Sequence, residues 1–138
     1  MNLFNFFTPK DETFYLQSNS TVRQALEKFD AHKFSVVSLV DENGKFVGTI
    51  SQGDILRFIK NVFNFDISKA ESIKITEVEK YRPYKAINVE SSIDEAIVLA
   101  LDQNFVPIID DRGIYIGILK RKTILEYLLV KKIDKNKE

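Results

Sequence analysis

The sequence predicts an α/β (α+β) protein built from two tandem β-α-β-β-α repeats. In each half, apolar positions recur at helical spacing, and a short apolar run of strand length follows them. Each run ends in an acidic turn with glycine, and Gly44 and Gly48 of the first copy recur 69 positions later as Gly113 and Gly117. A duplicated unit buries its apolar face against its copy, so we expect the repeats to pack through their sheets with pseudo-two-fold symmetry.

The first copy starts with a short strand and an amphipathic helix that either Ser20 or Thr21 can cap. A nearly continuous apolar run, Val36–Val40, then predicts a strand covered on both faces. The turn that follows ends in Asn43-Gly44, which readily adopts positive φ and returns the chain into a partner strand. In order, we predict strand 13–16, helix 21–32, strand 36–40, turn 41–44, strand 46–50 and a helix that opens at Ser51.

The chain between the copies is too apolar for a solvated tether, so we expect it to pack on the first half. Within it, Thr76 and Glu79 predict a capped helical turn that ends before Pro83. In the second copy we predict strand 86–89, helix 92–103, strand 105–109, strand 115–119, helix 121–130 and a frayed, charged tail. The predicted domains are residues 1–66 (first repeat with the N-terminal segment), 67–83 (connector) and 84–138 (second repeat with the tail).

Composition narrows the function classes. The 20 basic and 20 acidic residues cancel, which argues against a general binder of nucleic acid or anionic membrane. Without cysteine and with one histidine, the chain offers no thiol chemistry and a poor zinc site. The apolar N-terminus lacks a basic start and is broken by Asn5, so we expect it to belong to the fold and the protein to be cytoplasmic. The sequence has no nucleophile–base pair or Walker loop, and we therefore expect no enzyme.

The strongest candidate site is Ser51-x-x-Asp54, where a predicted strand meets a predicted helix. The start of a helix offers unpaired N–H groups and partial positive charge to a phosphate, and a carboxylate there can accept both hydrogen bonds of a ribose cis-diol. Gly53 costs the helix about 1 kcal/mol relative to alanine, so we expect it to permit the close approach of a ligand. Ser-x-x-Asp is also a capping box that needs no ligand, and both roles can hold together.

The second copy has Lys120 and Thr123 in place of Ser51 and Asp54, so the carboxylate is missing. Three cations, Lys120-Arg121-Lys122, stand instead at the start of a predicted helix, where each is unfavourable by about 0.3–1 kcal/mol. One interpretation is that they bind ligand phosphates, with Arg121 suited to a bidentate grip. The other is that long, solvated side chains point away at little cost.

The doubled order of elements resembles a tandem pair of CBS (cystathionine-β-synthase) domains, the assembly called a Bateman module, in its small stand-alone form. Residues 47–56 carry the resemblance in the first copy, residues 105–110 and 116–119 carry it in the second, and Thr8-Pro9 precedes the first strand. The resemblance implies a non-enzymatic sensor without a cofactor. Such a sensor binds AMP, ADP, ATP, S-adenosylmethionine or cyclic di-AMP in a cleft between the repeats and signals to a partner protein.

The resemblance also implies roles for single residues. It assigns the ribose hydroxyls to Asp54 and the phosphate or ribose to Ser51. It places adenine against the strand before the acidic turn in each copy, and Tyr81 is one of the tyrosines that could stack on a base. The candidate ligand-binding residues are therefore Ser51, Gly53, Asp54, Val36, Val37, Lys120, Arg121, Thr123, Phe105 and Val106.

Residues 97–101 and much of 124–130 are apolar on every side of their predicted helices, which must then be covered all round. We expect a homodimer to supply this cover, although the first half of the chain could supply it instead.

Because the second copy lacks the carboxylate, a different function stays open. The protein could be a dimeric interaction scaffold whose degenerate clefts bind no nucleotide.

Overall fold

The structure is a computed structural model that describes residues 5–32, 34–64 and 66–136. They divide into two units, which we call the first-repeat unit (residues 14–83) and the second-repeat unit (residues 5–13 and 84–136). The predicted fold class is confirmed, since each unit contains one β-α-β-β-α repeat. No helix of the described ranges is long and apolar enough to cross a membrane.

The elements follow the predicted order, with one additional short strand at the N-terminus. Strands Val36–Val40 and Phe105–Ile109 have the predicted bounds. In chain order the elements are β1 (Thr8–Pro9), β2 (Tyr15–Gln17), α1 (Val22–His32), β3 (Val36–Val40), β4 (Phe46–Ser51), α2 (Gln52–Asn61), β5 (Ile87–Asn88), α3 (Ile93–Ala100), β6 (Phe105–Ile109), β7 (Tyr115–Lys120) and α4 (Arg121–Asn136), with 3-10 turns at Lys10–Glu12, Ile67–Glu71 and Ile75–Glu77.

The first-repeat unit has a three-stranded sheet in the order β2-β3-β4, with β2 parallel and β4 antiparallel to the central β3. Thr21, rather than Ser20, caps α1: its Oγ1 accepts a hydrogen bond of 3.1 Å from the N–H of Gln24, whose side chain accepts one from Thr21. The buried core of this unit consists of Leu16, Val22, Ala25, Phe29, Val37, Leu39, Ile50, Ile55, Phe63, Ala70, Ile75 and Val78.

The connector packs on the first repeat, as expected. Ala70, Ile75 and Val78 lie in the core of the first-repeat unit. The backbone carbonyl of Ser20 accepts a hydrogen bond from Ile75, which fixes the connector beside the start of α1. The predicted cap from Thr76 to Glu79 is wrong, because the buried Ile75 already begins the turn and Glu77 caps it through the N–H of Lys74.

The second-repeat unit has a four-stranded sheet in the order β1-β7-β6-β5. The edge strand β1 pairs antiparallel with β7, so that Thr8 lies opposite Ile118 and Pro9 opposite Gly117. The N-terminal residues therefore belong to the sheet of the second repeat. The prediction had placed them with the first repeat, in a domain of residues 1–66. The buried core of this unit consists of Ile87, Val89, Ala96, Ala100, Val106, Ile108, Leu119 and Ile124.

Two helix ends in the second-repeat unit differ from the prediction. Helix α3 stops at Ala100 instead of residue 103, because Leu101 and Asp102 donate to carbonyls three residues back, in 3-10 fashion. Helix α4 continues to Asn136, through most of the segment predicted to be frayed. Its last turns contain no glycine or proline that would end it.

Candidate functional site

Ser51 ends strand β4 and caps helix α2, so the strand-to-helix junction predicted from the sequence exists. The Oγ of Ser51 accepts a hydrogen bond of 3.0 Å from the N–H of Asp54, and Oδ2 of Asp54 accepts one of 2.9 Å from the N–H of Ser51. The capping-box interpretation of this motif is therefore confirmed. The two side chains are fixed at the helix start before any ligand arrives.

The carboxylate of Asp54 is buried, with 4% of the residue exposed. Its Oδ1 accepts a hydrogen bond of 2.6 Å from Nη2 of Arg57 and one of 3.0 Å from the main-chain N–H of Tyr81. Both lone pairs of Oδ1 are thus occupied, whereas Oδ2 accepts only from Ser51 among the described residues. One acceptor position of the carboxylate remains for a further donor.

Cationic side chains lie near this carboxylate and near Tyr81. The guanidinium of Arg57 lies 5.0 Å from the ring centroid of Tyr81, and that of Arg82 lies 5.4 Å from it. Lys80 donates a hydrogen bond of 2.8 Å to the carbonyl of Ile75. Burial lowers the pKa of the Lys80 ammonium, and the nearby Asp54 carboxylate opposes this by raising it. The buried Asp54 carboxylate thus lies beside the cationic side chains of Arg57 and Lys80, with Glu79 as a second acidic residue of the site.

A cavity of about 200 Å³ opens beside Asp54 in the first-repeat unit. Residues of α2 and its C-terminal end form one wall, and the last part of the connector forms the other. Its lining residues are Asp54, Arg57, Phe58, Asn61, Val62, Glu79 and Tyr81.

Gly53 lies in the first turn of α2 and is not required by the packing of the described residues. A Cβ at this position would lie 3.5 Å from Nη1 of Arg57 and 3.6 Å from Oγ of Ser51, which is ordinary contact. Alanine would also favour the helix by about 1 kcal/mol. The described contacts therefore give no structural reason for a glycine at this position.

Of the four candidate adenine contacts, two have side chains that face a buried core and two have side chains on the opposite face of the strand. Val37 and Val106 are buried in the two cores, with 2% and 0% of each residue exposed, so their side chains are not available to a ligand. Successive side chains of a strand point to opposite faces, so a pair of neighbours cannot both line one site. Val36 and Phe105 are half-buried and face away from those cores.

The sheets bring each remaining strand residue beside a helix start. Val36 pairs with Ser51 across β3 and β4, and Phe105 pairs with Lys120 across β6 and β7. The ring of Phe105 meets that of Tyr84 edge-on, with 4.9 Å between centroids. The structure therefore brings Val36 to the Ser51–Asp54 site and Phe105 to the corresponding position of the second repeat.

The second repeat keeps the backbone geometry of this junction but not its chemistry. The N–H of Gln52 donates to Ser35 and that of Arg121 donates to Asn104, both at 2.9 Å. Nε of Arg121 also donates a hydrogen bond of 2.8 Å to the carbonyl of Ala100, at the C-terminal end of α3. This contact uses Nε of Arg121 and holds the side chain at the end of α3.

The other two cations of this junction lie at the surface. Lys120 is exposed, and Nζ of the exposed Lys122 lies 3.9 Å from a carboxylate oxygen of Glu126. Thr123 is half-buried in the first turn of α4. A carboxylate equivalent to Asp54 is missing here, as the sequence indicates.

Sequence reasoning missed Arg57, Gln103 and the main-chain contact of Tyr81. Arg57 follows Asp54 by three positions, a spacing that puts both on one helix face and could have revealed the pair. The N–H of Tyr81 reaches Asp54 from 27 residues away, and no sequence signal indicates that. Gln103 is buried and joins the backbones of Lys85 and Phe105 through three hydrogen bonds, again without a local signal. Within the described ranges, no His, Asp or Glu cluster could hold a metal ion.

The sequence profile of the CBS domain matches two stretches of the chain, residues 8–61 and 76–130. The chain belongs to the CBS-domain family. Its two matches agree with the two repeats, and the resemblance stated from the sequence is confirmed. An uncharacterized 17.7 kDa protein in the bps2 3' region of Acidianus ambivalens is 25% identical over 122 residues, which cover 86% of this chain and 68% of that protein.

Solved structures of CBS proteins share the fold. CbpB in complex with c-di-AMP has a TM-score of 0.85 to this chain at 22% identity, over 99% of this chain and 90% of CbpB. CBSX2 in complex with AMP has a TM-score of 0.73 at 25% identity, over 95% of this chain and 98% of CBSX2. The order and packing of elements within each repeat are thus those of the family.

Proposed function

We propose that this chain is a regulatory, non-enzymatic Bateman module that binds an adenine nucleotide at the Ser51–Asp54 junction and signals to a partner protein. Membership of the CBS-domain family supports this proposal. Two CBS proteins of the same fold have been solved with a nucleotide bound, CBSX2 with AMP and CbpB with c-di-AMP. Both ligands contain adenosine and phosphate, the two groups that the junction suits.

The observation that carries the proposal is the buried carboxylate of Asp54 at the N-terminus of α2. A ribose cis-diol offers two O–H donors, and the free acceptor position on Oδ2 accepts one of them. The second O–H can share Oδ1, whose partner Arg57 is a half-exposed side chain with room to move. At the helix start the N–H groups of Gln52 and Asp54 already donate to Ser35 and Ser51, which leaves the N–H of Gly53 for a phosphate. Val36 lies beside Ser51 and offers an apolar surface on which the base could pack.

A thermal-shift screen tests this proposal and identifies the ligand. The purified chain is heated with AMP, ADP, ATP, cyclic di-AMP, S-adenosylmethionine and guanine nucleotides as controls. A ligand that binds only the folded state contributes about 2.7 kcal/mol at 100 times its dissociation constant, which raises the melting temperature by several degrees. We expect a rise with adenine compounds only. A flat response to all of them contradicts the proposal.

An interaction scaffold without ligand is the second candidate function. Two observations favour it: Asp54 is already held by three donors within its own unit, and the second repeat lacks the carboxylate. A scaffold would keep its melting temperature unchanged with every nucleotide. The same screen therefore separates the two functions.

We also propose that the chain forms a homodimer through the helices of the second repeat. Helices α3 and α4 contact each other, and their surface carries large exposed apolar side chains. Patches of this kind mark interaction surfaces. Light scattering of the purified protein should give twice the chain mass, and Leu129→Lys should return it to the chain mass. The exposed side chains are Val98, Leu101, Leu125, Leu128, Leu129, Val130 and Ile133.

A further inference from the structure

We infer that residues 79–83 form a strap that nucleotide binding releases, because the strap and a ribose diol compete for one oxygen of Asp54. This inference rests on the proposed function and adds a regulatory step to it. The strap is the last part of the connector, and Pro83 is the last residue of the first-repeat unit. Release of the strap therefore frees the stretch of chain that leads into the second repeat.

One main-chain hydrogen bond ties the strap to the start of α2. The N–H of Tyr81 donates to Oδ1 of Asp54 at 3.0 Å. The Tyr81 ring adds a contact beside it, since its centroid lies 5.0 Å from the guanidinium of Arg57. The closed position of the strap thus depends on a carboxylate that the proposed function assigns to the ligand.

The chain just before Tyr81 is anchored independently of that carboxylate. Val78 is buried in the core of the first-repeat unit, and Nζ of Lys80 donates a hydrogen bond of 2.8 Å to the carbonyl of Ile75. From Tyr81 onward the strap lies at the surface, and 68% of Tyr81 is exposed. Loss of the bond to Asp54 can therefore open residues 81–83 without disturbing the core.

The carboxylate has no room for a ribose diol while the strap is closed. A cis-diol binds a carboxylate with one O–H on each oxygen. Oδ2 of Asp54 accepts only from Ser51 among the described residues, but Oδ1 already accepts from both Arg57 and Tyr81. A diol that uses both oxygens must therefore displace or weaken one donor on Oδ1.

The N–H of Tyr81 is the weaker of the two donors on Oδ1. Its bond is 3.0 Å long and neutral, whereas Arg57 donates a charge-assisted bond of 2.6 Å. Arg57 can shift at the surface while its positive charge stays beside the buried carboxylate. The N–H of the exposed Tyr81 can exchange the carboxylate for water at little cost. The strap is thus the partner that we expect the ribose to displace.

The strap also brings an acidic side chain into the cavity beside Asp54. Glu79 and Tyr81 line this cavity together with residues of α2. A nucleotide that enters here meets the carboxylate of Glu79 with a phosphate of like charge, and this repulsion disfavours the closed strap. Competition for Oδ1 and charge repulsion therefore act in the same direction.

Hydrogen exchange of single amides, followed by NMR, tests the release in the unaltered chain, free and saturated with AMP or cyclic di-AMP. In the free chain the Tyr81 amide should be protected, and at saturation it should exchange about 10-fold faster or more. The Ile75 amide, which donates to the carbonyl of Ser20 at 2.9 Å, is the internal control and should not exchange faster. A Tyr81 amide that is unprotected in the free chain, or stays protected at saturation, overturns the strap.

Two variants at one position test the competition. Tyr81→Pro removes the N–H donor together with the ring, whereas Tyr81→Ala removes the ring and keeps the donor. Because a bond that competes with a ligand weakens its binding, loss of the donor should tighten it. In calorimetric titrations with AMP and cyclic di-AMP, we expect Tyr81→Pro to bind the nucleotide about 5-fold more tightly than Tyr81→Ala, or better.

The outcomes separate the strap from the proposed function. Equal or weaker binding by Tyr81→Pro, with both variants folded by circular dichroism, overturns the competition and leaves nucleotide binding itself intact. If Tyr81→Pro does not fold, the exchange of the Tyr81 amide in the unaltered chain decides. Absence of binding of either compound to the unaltered chain overturns the proposed function, and the release of the strap with it.

Discussion

The main-chain N–H of Tyr81 donates a hydrogen bond of 3.0 Å to Oδ1 of Asp54, which lies 27 residues earlier in the chain. The same oxygen accepts from Arg57, whose guanidinium lies over the Tyr81 ring. Asp54 therefore joins the start of α2 to the segment that ends the first-repeat unit near Pro83. A ligand that competes for this carboxylate would weaken the hydrogen bond from Tyr81 and so loosen the contact between that segment and α2.

Replacement of Asp54 should destabilise the chain even without ligand. Asp54→Ala leaves the N–H groups of Ser51 and Tyr81 without their acceptor and removes half of the capping box. We expect a loss of about 2–3 kcal/mol in the free energy of unfolding, and about half of that for Asp54→Asn, which keeps one acceptor oxygen. Urea denaturation followed by circular dichroism measures both. A loss below about 0.5 kcal/mol for Asp54→Ala would show that these contacts do not persist in solution.

Replacement of Arg121 should affect stability and leave nucleotide binding intact. Arg121→Met keeps the aliphatic stem but removes the donor to the Ala100 carbonyl, so the free energy of unfolding should fall by about 1–2 kcal/mol. Lys120→Met, at an exposed neighbour, is the matched control and should change it little. If Arg121→Met instead weakens nucleotide binding about 10-fold at unchanged stability, Arg121 is a phosphate ligand after all.

Gly117 and Gly48 occupy equivalent positions in the two repeats, but only Gly117 is crowded. Both have positive φ, at +157° and +142°. A Cβ at Gly117 would collide with the Thr8 carbonyl oxygen and lie 2.6 Å from the Phe7 ring, whereas nothing lies within 4 Å of one at Gly48. Gly48→Ala should thus cost about 1–3 kcal/mol for backbone strain, and Gly117→Ala clearly more. Equal losses in urea denaturation would mean that β1 does not pair with β7.

Asp110 should contribute to stability at neutral pH and lose this contribution in acid. A hydrogen bond from the Ile114 N–H, together with those from Arg112, lowers the pKa of the Asp110 carboxyl in the folded chain. Because the folded pKa lies below the unfolded value of about 3.9, the stabilisation is complete above that value and disappears as the pH falls through the folded pKa.

Asp110→Asn tests this dependence by chemical denaturation at several pH values. The variant should be less stable than the unaltered chain at pH 7, and the difference should shrink as the pH falls below about 4. Asp102→Asn is the control, since the structure gives this exposed carboxylate no hydrogen bond within the described ranges. A difference for Asp110→Asn that is the same at all pH values contradicts the assigned cause.

Elements with a strong local signal were predictable from the sequence. Val36–Val40 and Phe105–Ile109 are apolar runs bounded by turn residues, and their strands have the predicted bounds. The Ser51–Asp54 cap is also a local pattern, and the structure contains it. The order of the remaining elements was predictable from the repeat, because an element with a clear signal in one copy indicates the same element in the other.

Contacts between distant residues were not predictable. Strand β1 contains only Thr8 and Pro9, and its position depends on the open edge of β7 rather than on its own composition. The side chain of Arg121 contacts a carbonyl that the end of α3 leaves unpaired, and the location of that end was itself predicted three residues too late. The side chains of Val37 and Val106, two of the predicted ligand contacts, are buried in the two cores, because a sequence does not show which face of a strand is covered.

The most direct test of nucleotide binding at Asp54 is a calorimetric titration of the unaltered chain and Asp54→Asn with AMP and cyclic di-AMP. Circular dichroism of both proteins at the titration temperature verifies that they are folded. The proposed function predicts saturable binding of at least one compound to the unaltered chain. It also predicts an affinity lowered about 10-fold or more in Asp54→Asn, since a hydrogen bond to a charged group contributes about 1.5–3 kcal/mol. Equal affinity in the two proteins, or no binding to either, would contradict it.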